Sequence, residues 1–265
     1  MIEQDWRLTG APNARDLGGL IGADARRIRP GLLLRSGALG RLTDEDTRLI
    51  ETFGVRCVVD LRYQGEIDAA PADRIPAGAR VAHLPVHDPA HPLFGYVSAV
   101  LLGHEPAAYV GLAQQGTPGA MADIYRWFVS GEAARRQFGA AVRLAADADD
   151  LPLLFHCSAG KDRTGWLAVV LLTALGVEPA AIRADYLLTN ERSAGVNEVI
   201  LSAMRRRYPQ LREESVRPLL EVRESYLDAG YEQVARSYGT FDAYLRDGLG
   251  CGDEVIASLR AKLLE

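Results

Sequence analysis

The sequence predicts an α/β fold: a mostly parallel central sheet of four or five strands, flanked by helices in a three-layer arrangement. Two observations carry that prediction. A strand, helix, strand succession occupies residues 31–61, and a second apolar run at 151–155 leads through a polar loop into a continuously apolar stretch of helix length at 164–175. The chain has 265 residues, of which 48% are hydrophobic, enough for a sizeable core. It reads as one domain with inserts.

The elements follow in order. Residues 12–19 mix Asn, Asp and Gly and read as irregular entry structure before GLLLRSGAL, a short apolar strand with a turn. Thr43 is placed to cap a helix with Asp46 three residues on. Leu49, Ile50 and Phe53 recur on one face before Gly54 stops it. Residues 55–61 (VRCVVDL) then form a buried strand, and residues 79–86 (ARVAHLPV) a further one that ends at the His87-Asp88-Pro89 turn. The stretch 88–120 interrupts short apolar runs with Gly, Pro, His and Gln, and is expected to be a lid. Residues 121–146 predict helix with a break at Ser130-Gly131. Pro179 fits a first helical position, so residues 179–190 form a helix, and 193–265 are mostly helical with breaks. Residues 191–235 are the second candidate lid.

Composition narrows the classes of function. No stretch approaches the roughly 18 apolar residues that a membrane span needs, so no integral membrane segment is expected. TGWLAVVLLTAL reads as a core helix. Thirty basic residues against 35 acidic ones give a net charge of -5 without a long basic run, which argues against nucleic acid as a partner. Arg205-Arg206-Arg207 reads as a solvated helix end. The N-terminus has no secretory pattern, so the cytoplasm is the default location, with leaderless export left open. Cys57, Cys157 and Cys251 are too few and too widely spaced for a disulfide scaffold or metal knuckles.

The chemistry concentrates in His156-Cys157-Ser158-Ala159-Gly160-Lys161-Asp162-Arg163-Thr164-Gly165. A loop leaving a buried strand and entering a helix points backbone N–H groups at one spot, where the helix dipole adds about half a positive charge. A cysteine at the mouth of such a loop is expected to be a thiolate and a nucleophile. Arg163, six residues on, can bind two phosphate oxygens in a fork. Gly160 permits close backbone approach, and the Thr164 hydroxyl is expected near the sulfur. The bare Cys and Arg spacing is weak evidence, but the whole string between strand and helix is specific. It lacks the Ser or Thr that must follow GK in a nucleotide-binding loop. Neither a metal nor a cofactor is needed.

HCSAGKDRTG resembles the signature loop of the protein tyrosine phosphatase superfamily. NARDLGG, LLLRSGAL, CVVDLR, ADYLLTNE and GTFDAYL further resemble its bacterial PtpB-type branch, so the similarity spans nearly the whole chain. The resemblance implies the three-layer phosphatase fold and a hydrolase acting on phosphotyrosine proteins. Phosphoserine, phosphothreonine and phosphoinositides are further expected substrates. It also implies a phosphocysteine on Cys157, with Arg163 and the loop residues Ser158, Ala159, Gly160, Thr164 and Gly165 holding the phosphoryl group. His156 would orient the loop. The general acid is left between Asp162, slightly favoured, and Asp88, which follows the strand where such an acid usually lies. Lys161 and Lys262 are the chain's two lysines, and Lys161 is expected as a second cation at the pocket rim, suited to substrates with more than one phosphate. Sulfurtransferases and arsenate reductases are alternatives that do not resemble the flanking HC and TG, and a non-hydrolytic binding module normally lacks the cysteine or arginine, both present here as Cys157 and Arg163.

Plainer readings apply elsewhere. Cys57 reads as a small core residue with a resolving-thiol role as the sharper alternative, and Cys251 as inert. His83, His87, His91 and His104 read as loop histidines. Arg15, Asp16, Arg35, Asp60 and Arg62 fit ion pairs as well as they fit substrate contacts.

Overall fold

The computed structural model describes residues 7–88, 117–207, 209 and 212–265. Among the described residues five strands form one mixed sheet: β1 (Arg15–Asp16), β2 (Leu33–Ser36), β3 (Cys57–Asp60), β4 (Arg80–His83) and β5 (Leu153–His156), in the order β1-β2-β5-β3-β4. β1 runs antiparallel to β2, and the other pairs are parallel. β5 is central and buried along its length, which is why its sequence is a continuous apolar run without alternation. β4 is an exposed edge.

Side chains alternate between two cores, as the pleat requires. Leu33, Cys57, Val59, Leu153 and Phe155 join the larger cluster with Phe128, Phe138 and Val169. Leu34, Val58 and Leu154 turn to the other face, against Leu39, Leu42 and Ile50. Register sets the active edge. Ser36 and Asp60 both lie opposite His156, so the loops after β2, β3 and β5 leave side by side at the carboxyl edge of the sheet, where α/β sheets bind ligands.

The described helices are α1 (Asp44–Glu51), α2 (Gln64–Asp68), α3 (Thr117–Ser130), α4 (Glu132–Ala145), α5 (Asp162–Ala174), α6 (Pro179–Arg207), α7 (Glu213–Leu220), α8 (Glu224–Tyr238) and α9 (Asp253–Leu263), with shorter helical turns between them. α1 opens on a reciprocal cap, Asp46 N–H donating to Thr43 Oγ1 and Thr43 N–H to Asp46 Oδ2. Gly131 separates α3 from α4 at the expected break.

Several expectations change. β1 and α2 were not anticipated: two and five residues are too short to show a period. α6 does not stop near 190 but runs to Arg207, because residues 180–207 contain no proline and Gly195 alone costs a helix only about 1 kcal/mol. Of the expected lid at 88–120, residues 89–116 lie outside the described residues and 117–120 open α3. Within the other expected lid, 191–235, Tyr226, Leu227 and Val234 of α8 are buried in the larger core. The Tyr226 ring lies tilted 6.0 Å from Tyr125 of α3, and Tyr231 lies 6.1 Å from Trp166 of α5.

Candidate active site

His156 ends β5, Cys157 is 3% exposed at the start of the loop, and Lys161 is the N-cap residue of α5. Gly160 has φ +67 and presses on the loop after β2: a Cβ there would lie 2.4 Å from Ser36 O. Only glycine satisfies both conditions. Flanking segments hold the loop's carbonyls. Ala38 N–H donates to Ser158 O (3.0 Å), while Asn13 Nδ2 (2.8 Å) and Arg35 Nη2 (3.1 Å) donate to Gly160 O. With these carbonyls engaged on one side of the loop, its opposite side is left to an anion.

Arg163 is gripped by a residue that the sequence reading missed. Glu66 of α2 accepts from Arg163 Nη1 at 2.6 Å and Nη2 at 2.5 Å, and also from Ser158 Oγ at 2.6 Å. Burial pushes the Glu66 carboxyl up, but the Arg163 charge and hydrogen bonds outweigh it and hold the group below its ordinary range. Burial likewise works against the Arg163 guanidinium, and Glu66 more than reverses it. The two stay ionised together. Both Arg163 and Arg35 lie near enough to Cys157 to interact with a thiolate. The available signal for Glu66 was an acid just past a buried strand's carboxyl end.

Behind the loop, His156 is fully buried with Nδ1 3.1 Å from Cys157 O, a geometry in which Nδ1–H donates to the carbonyl. Burial lowers its pKa against the opposing charges of Asp60 and Asp73. Asp60, Asp73 and His156 present potential ligand atoms within 4.8 Å of one another. Arg62 already supplies the cation, donating to both Asp60 oxygens at 2.9 and 2.7 Å and to Asp73. This is an ion-pair brace, as are Arg15 and Arg35 on Asp185. Asp16 instead takes Gly18 and Gly31 N–H groups in a turn.

The two acid candidates separate. Asp162 stays with the loop, its Oδ1 accepting from Lys161 Nζ at 2.8 Å and from Tyr125 Oη at 3.1 Å. Tyr186 Oη donates in turn to Tyr125 (2.8 Å), and burial, then the Asp162 charge, keeps the Tyr125 phenol protonated. Asp88 instead lines a cavity of about 420 Å³ with His87, Trp127, Glu132 and Arg136, none of them from the loop. Its neighbour His87 faces the site, stacked on Tyr63 at 4.0 Å and close enough to Glu66 and Arg163 to interact with their charges.

Lys161 departs from expectation. It is not a cation at the rim but 5% exposed, its Nζ donating to Asp162 and to Glu221 O (3.2 Å) at the end of α7. The Thr164 hydroxyl, expected near the sulfur, is buried and makes no hydrogen bond among the described residues. Ser158 and Ala159 are exposed at the mouth, and Gly165 lies beneath the Tyr186 ring.

Cys57 is a core residue whose thiol burial pushes up to about 11. It sits opposite Leu153, four residues before Cys157. That is about 13 Å at the rise of a parallel strand, too far for a resolving thiol. Cys251 is buried and likewise raised by burial. His83 Nε2 pairs with Arg62 O, and His91 and His104 lie outside the described residues. No described helix is long and apolar enough to cross a membrane.

Comparison with known proteins places the chain in one family. A Cupriavidus necator protein whose name places it among the tyrosine-protein phosphatases is 37% identical over 95% of this chain and 85% of its own length. The triple specificity protein phosphatase PtpB of Mycobacterium tuberculosis is 31% identical over 97% of this chain and 98% of its own. A tyrosine-protein phosphatase of Nostoc commune is 31% identical over 62% of this chain and 50% of its own. The model of the tyrosine phosphatase family matches residues 6–265, and with the Cys157 loop and its Arg163 in place the chain belongs to that family.

Proposed function

We propose that the chain hydrolyses phosphomonoesters in two steps through a phosphocysteine on Cys157, with phosphotyrosine proteins as its first substrate class. The observation that carries this reading is the two-pronged Arg163–Glu66 pair beside Cys157 at the mouth of a helix-entering loop. In the first step Cys157 Sγ attacks phosphorus, the P–O bond to the leaving group breaks, and that oxygen takes a proton from an acid. In the second, water attacks phosphorus, the S–P bond breaks, inorganic phosphate leaves and the water's proton restores the acid. Arg163 and the loop amides bear the charge on the transferred group, so the steps need no metal.

Asp162 is the acid of the proposal, since it lies in the loop itself and accepts from Lys161 and Tyr125, whereas Asp88 lies beside His87 in a cavity lined by no loop residue. Phosphoserine, phosphothreonine and phosphoinositides are further substrates of the proposal, supported by the triple specificity in the name of the PtpB relative. Lys161 would have to leave Asp162 and Glu221 to reach a second phosphate.

The test is hydrolysis of p-nitrophenyl phosphate with chelator present, by wild type and Cys157→Ser, followed by a panel of phosphopeptides and phosphoinositides. Activity in wild type and none in the variant is expected; equal activity overturns the phosphocysteine. Asp162→Asn should lose far more rate on a serine phosphate, whose leaving group needs the proton, than on p-nitrophenyl phosphate. If Asp88→Asn shows that pattern instead, Asp88 is the acid.

A further inference from the structure

We propose that Asp185, on α6, is a positioning residue for the reaction: through Arg35, and through Arg15 and Asn13, it holds the Gly160 carbonyl away from the phosphate pocket. The proposal rests on the phosphatase reading above.

The Gly160–Lys161 peptide is the weak point of the loop. Its glycine sits at φ +67, where backbone turns most freely, and a rotated peptide would offer a carbonyl oxygen rather than an N–H to a phosphoryl group. An acceptor facing an anion would oppose binding and, more strongly, the charge carried in the transition state. Something must therefore hold that carbonyl. Asn13 Nδ2 and Arg35 Nη2 are two donors converging on it, at 2.8 and 3.1 Å.

Neither donor stands alone. Arg35 Nη1 donates to Asp185 Oδ2 at 2.6 Å, and Arg15 Nε donates to Asp185 Oδ1 at 2.6 Å. Arg15 Nη1 then donates to Asn13 Oδ1 (2.5 Å), which orients that amide so its Nδ2 faces Gly160. Arg15 Nη2 closes the set on Asp185 O and Thr189 Oγ1. Arg15 and Arg35 are 2% and 0% exposed, so two like charges lie buried together with one carboxylate between them. Burial and then Arg15 pull the Arg35 guanidinium down to about 10, still charged at neutral pH. Without the Asp185 charge, the two guanidiniums repel, and both grips on Gly160 loosen.

Asn13→Ala removes one grip and strands no charge, and Asp185→Asn removes the charge that organises both. Each is measured for melting temperature, p-nitrophenyl phosphate kinetics, tungstate inhibition, and alkylation of Cys157 by iodoacetate relative to neutral iodoacetamide, read by peptide mass. Arg183→Ala, on the same helix as Asp185 and ion-paired with Asp228 of α8, is the control. Folded Asn13→Ala should bind tungstate at least tenfold more weakly, lose at least tenfold in kcat, and show at least a fivefold lower iodoacetate preference, with Arg183→Ala unchanged. Asp185→Asn should go further in the same direction. A folded Asn13→Ala within twofold of wild type in all three overturns the proposal, and decides alone if Asp185→Asn does not fold. If wild type itself neither turns over substrate nor binds tungstate, the phosphatase reading fails first, which separates the two.

Discussion

Glu66 is the residue on which the chemistry of Arg163 turns, because a guanidinium held at two points keeps its plane aimed while a free one spends rotamer entropy on every turnover. Glu66→Gln keeps the shape and loses the charge. It should lower kcat/KM by about 10–100-fold, roughly 1.4–2.7 kcal/mol of transition-state stabilisation. Initial rates on p-nitrophenyl phosphate check this, and an unchanged kcat/KM would assign the aiming of Arg163 elsewhere. At Gly160, alanine would bring a methyl within 2.4 Å of Ser36 O in a left-handed backbone, so Gly160→Ala should lose both activity and tungstate binding even where the protein remains folded.

Among the elements, α1 and α5 are held in different ways. α1 depends on its cap: Thr43→Ala should cost about 1 kcal/mol in urea unfolding. Asp46→Ala should cost more, because Asp46 also accepts from Thr9 and Gly10 N–H and so ties the entry segment to the helix. α5 depends on packing. Trp166 is fully buried against Tyr125, Tyr231, Phe241 and Tyr244, and Trp166→Ala should destabilise by about 3–5 kcal/mol. Because Trp166 lies three residues after Arg163, that loss should also lower kcat, whereas Thr43→Ala should leave kcat alone.

In the molecule as a whole, buried ionised groups set the response to acid. Asp60, Glu66 and Asp185 are each pushed up by burial and pulled down further by their arginines, ending below their ordinary range. Their stabilisation is therefore complete above the ordinary carboxylate range and is lost as pH falls through and below it. His156 is lowered from 6.5 by burial, so the unfolded chain takes its proton first and stability begins to fall below about that pH. Asp16, raised by burial, acts in the opposite sense. Thermal unfolding should show a melting temperature that is level above pH 7, declines gently below 6.5 and drops steeply below about 4. A melting temperature that rose on acidification from pH 7 to 5 would contradict this assignment.

Much of this was legible in local sequence. The Cys157 loop announces itself because its function needs a contiguous strand, loop and helix, and the apolar run of β5, the cap of α1 and the break at Gly131 are likewise short-range facts. What tertiary structure alone decided involves partners far apart in the chain: Glu66 on Arg163, Asn13 and Arg35 on Gly160, Asp185 on Arg35, and Glu221 O on Lys161. Lys161 shows the difference most plainly. Its sequence neighbourhood placed a cation at a phosphate-binding rim, but a neighbouring aspartate and the end of α7 gave the ammonium buried partners. Sequence spacing carries no record of such partners, because the fold brings them together through sheet register and helix packing.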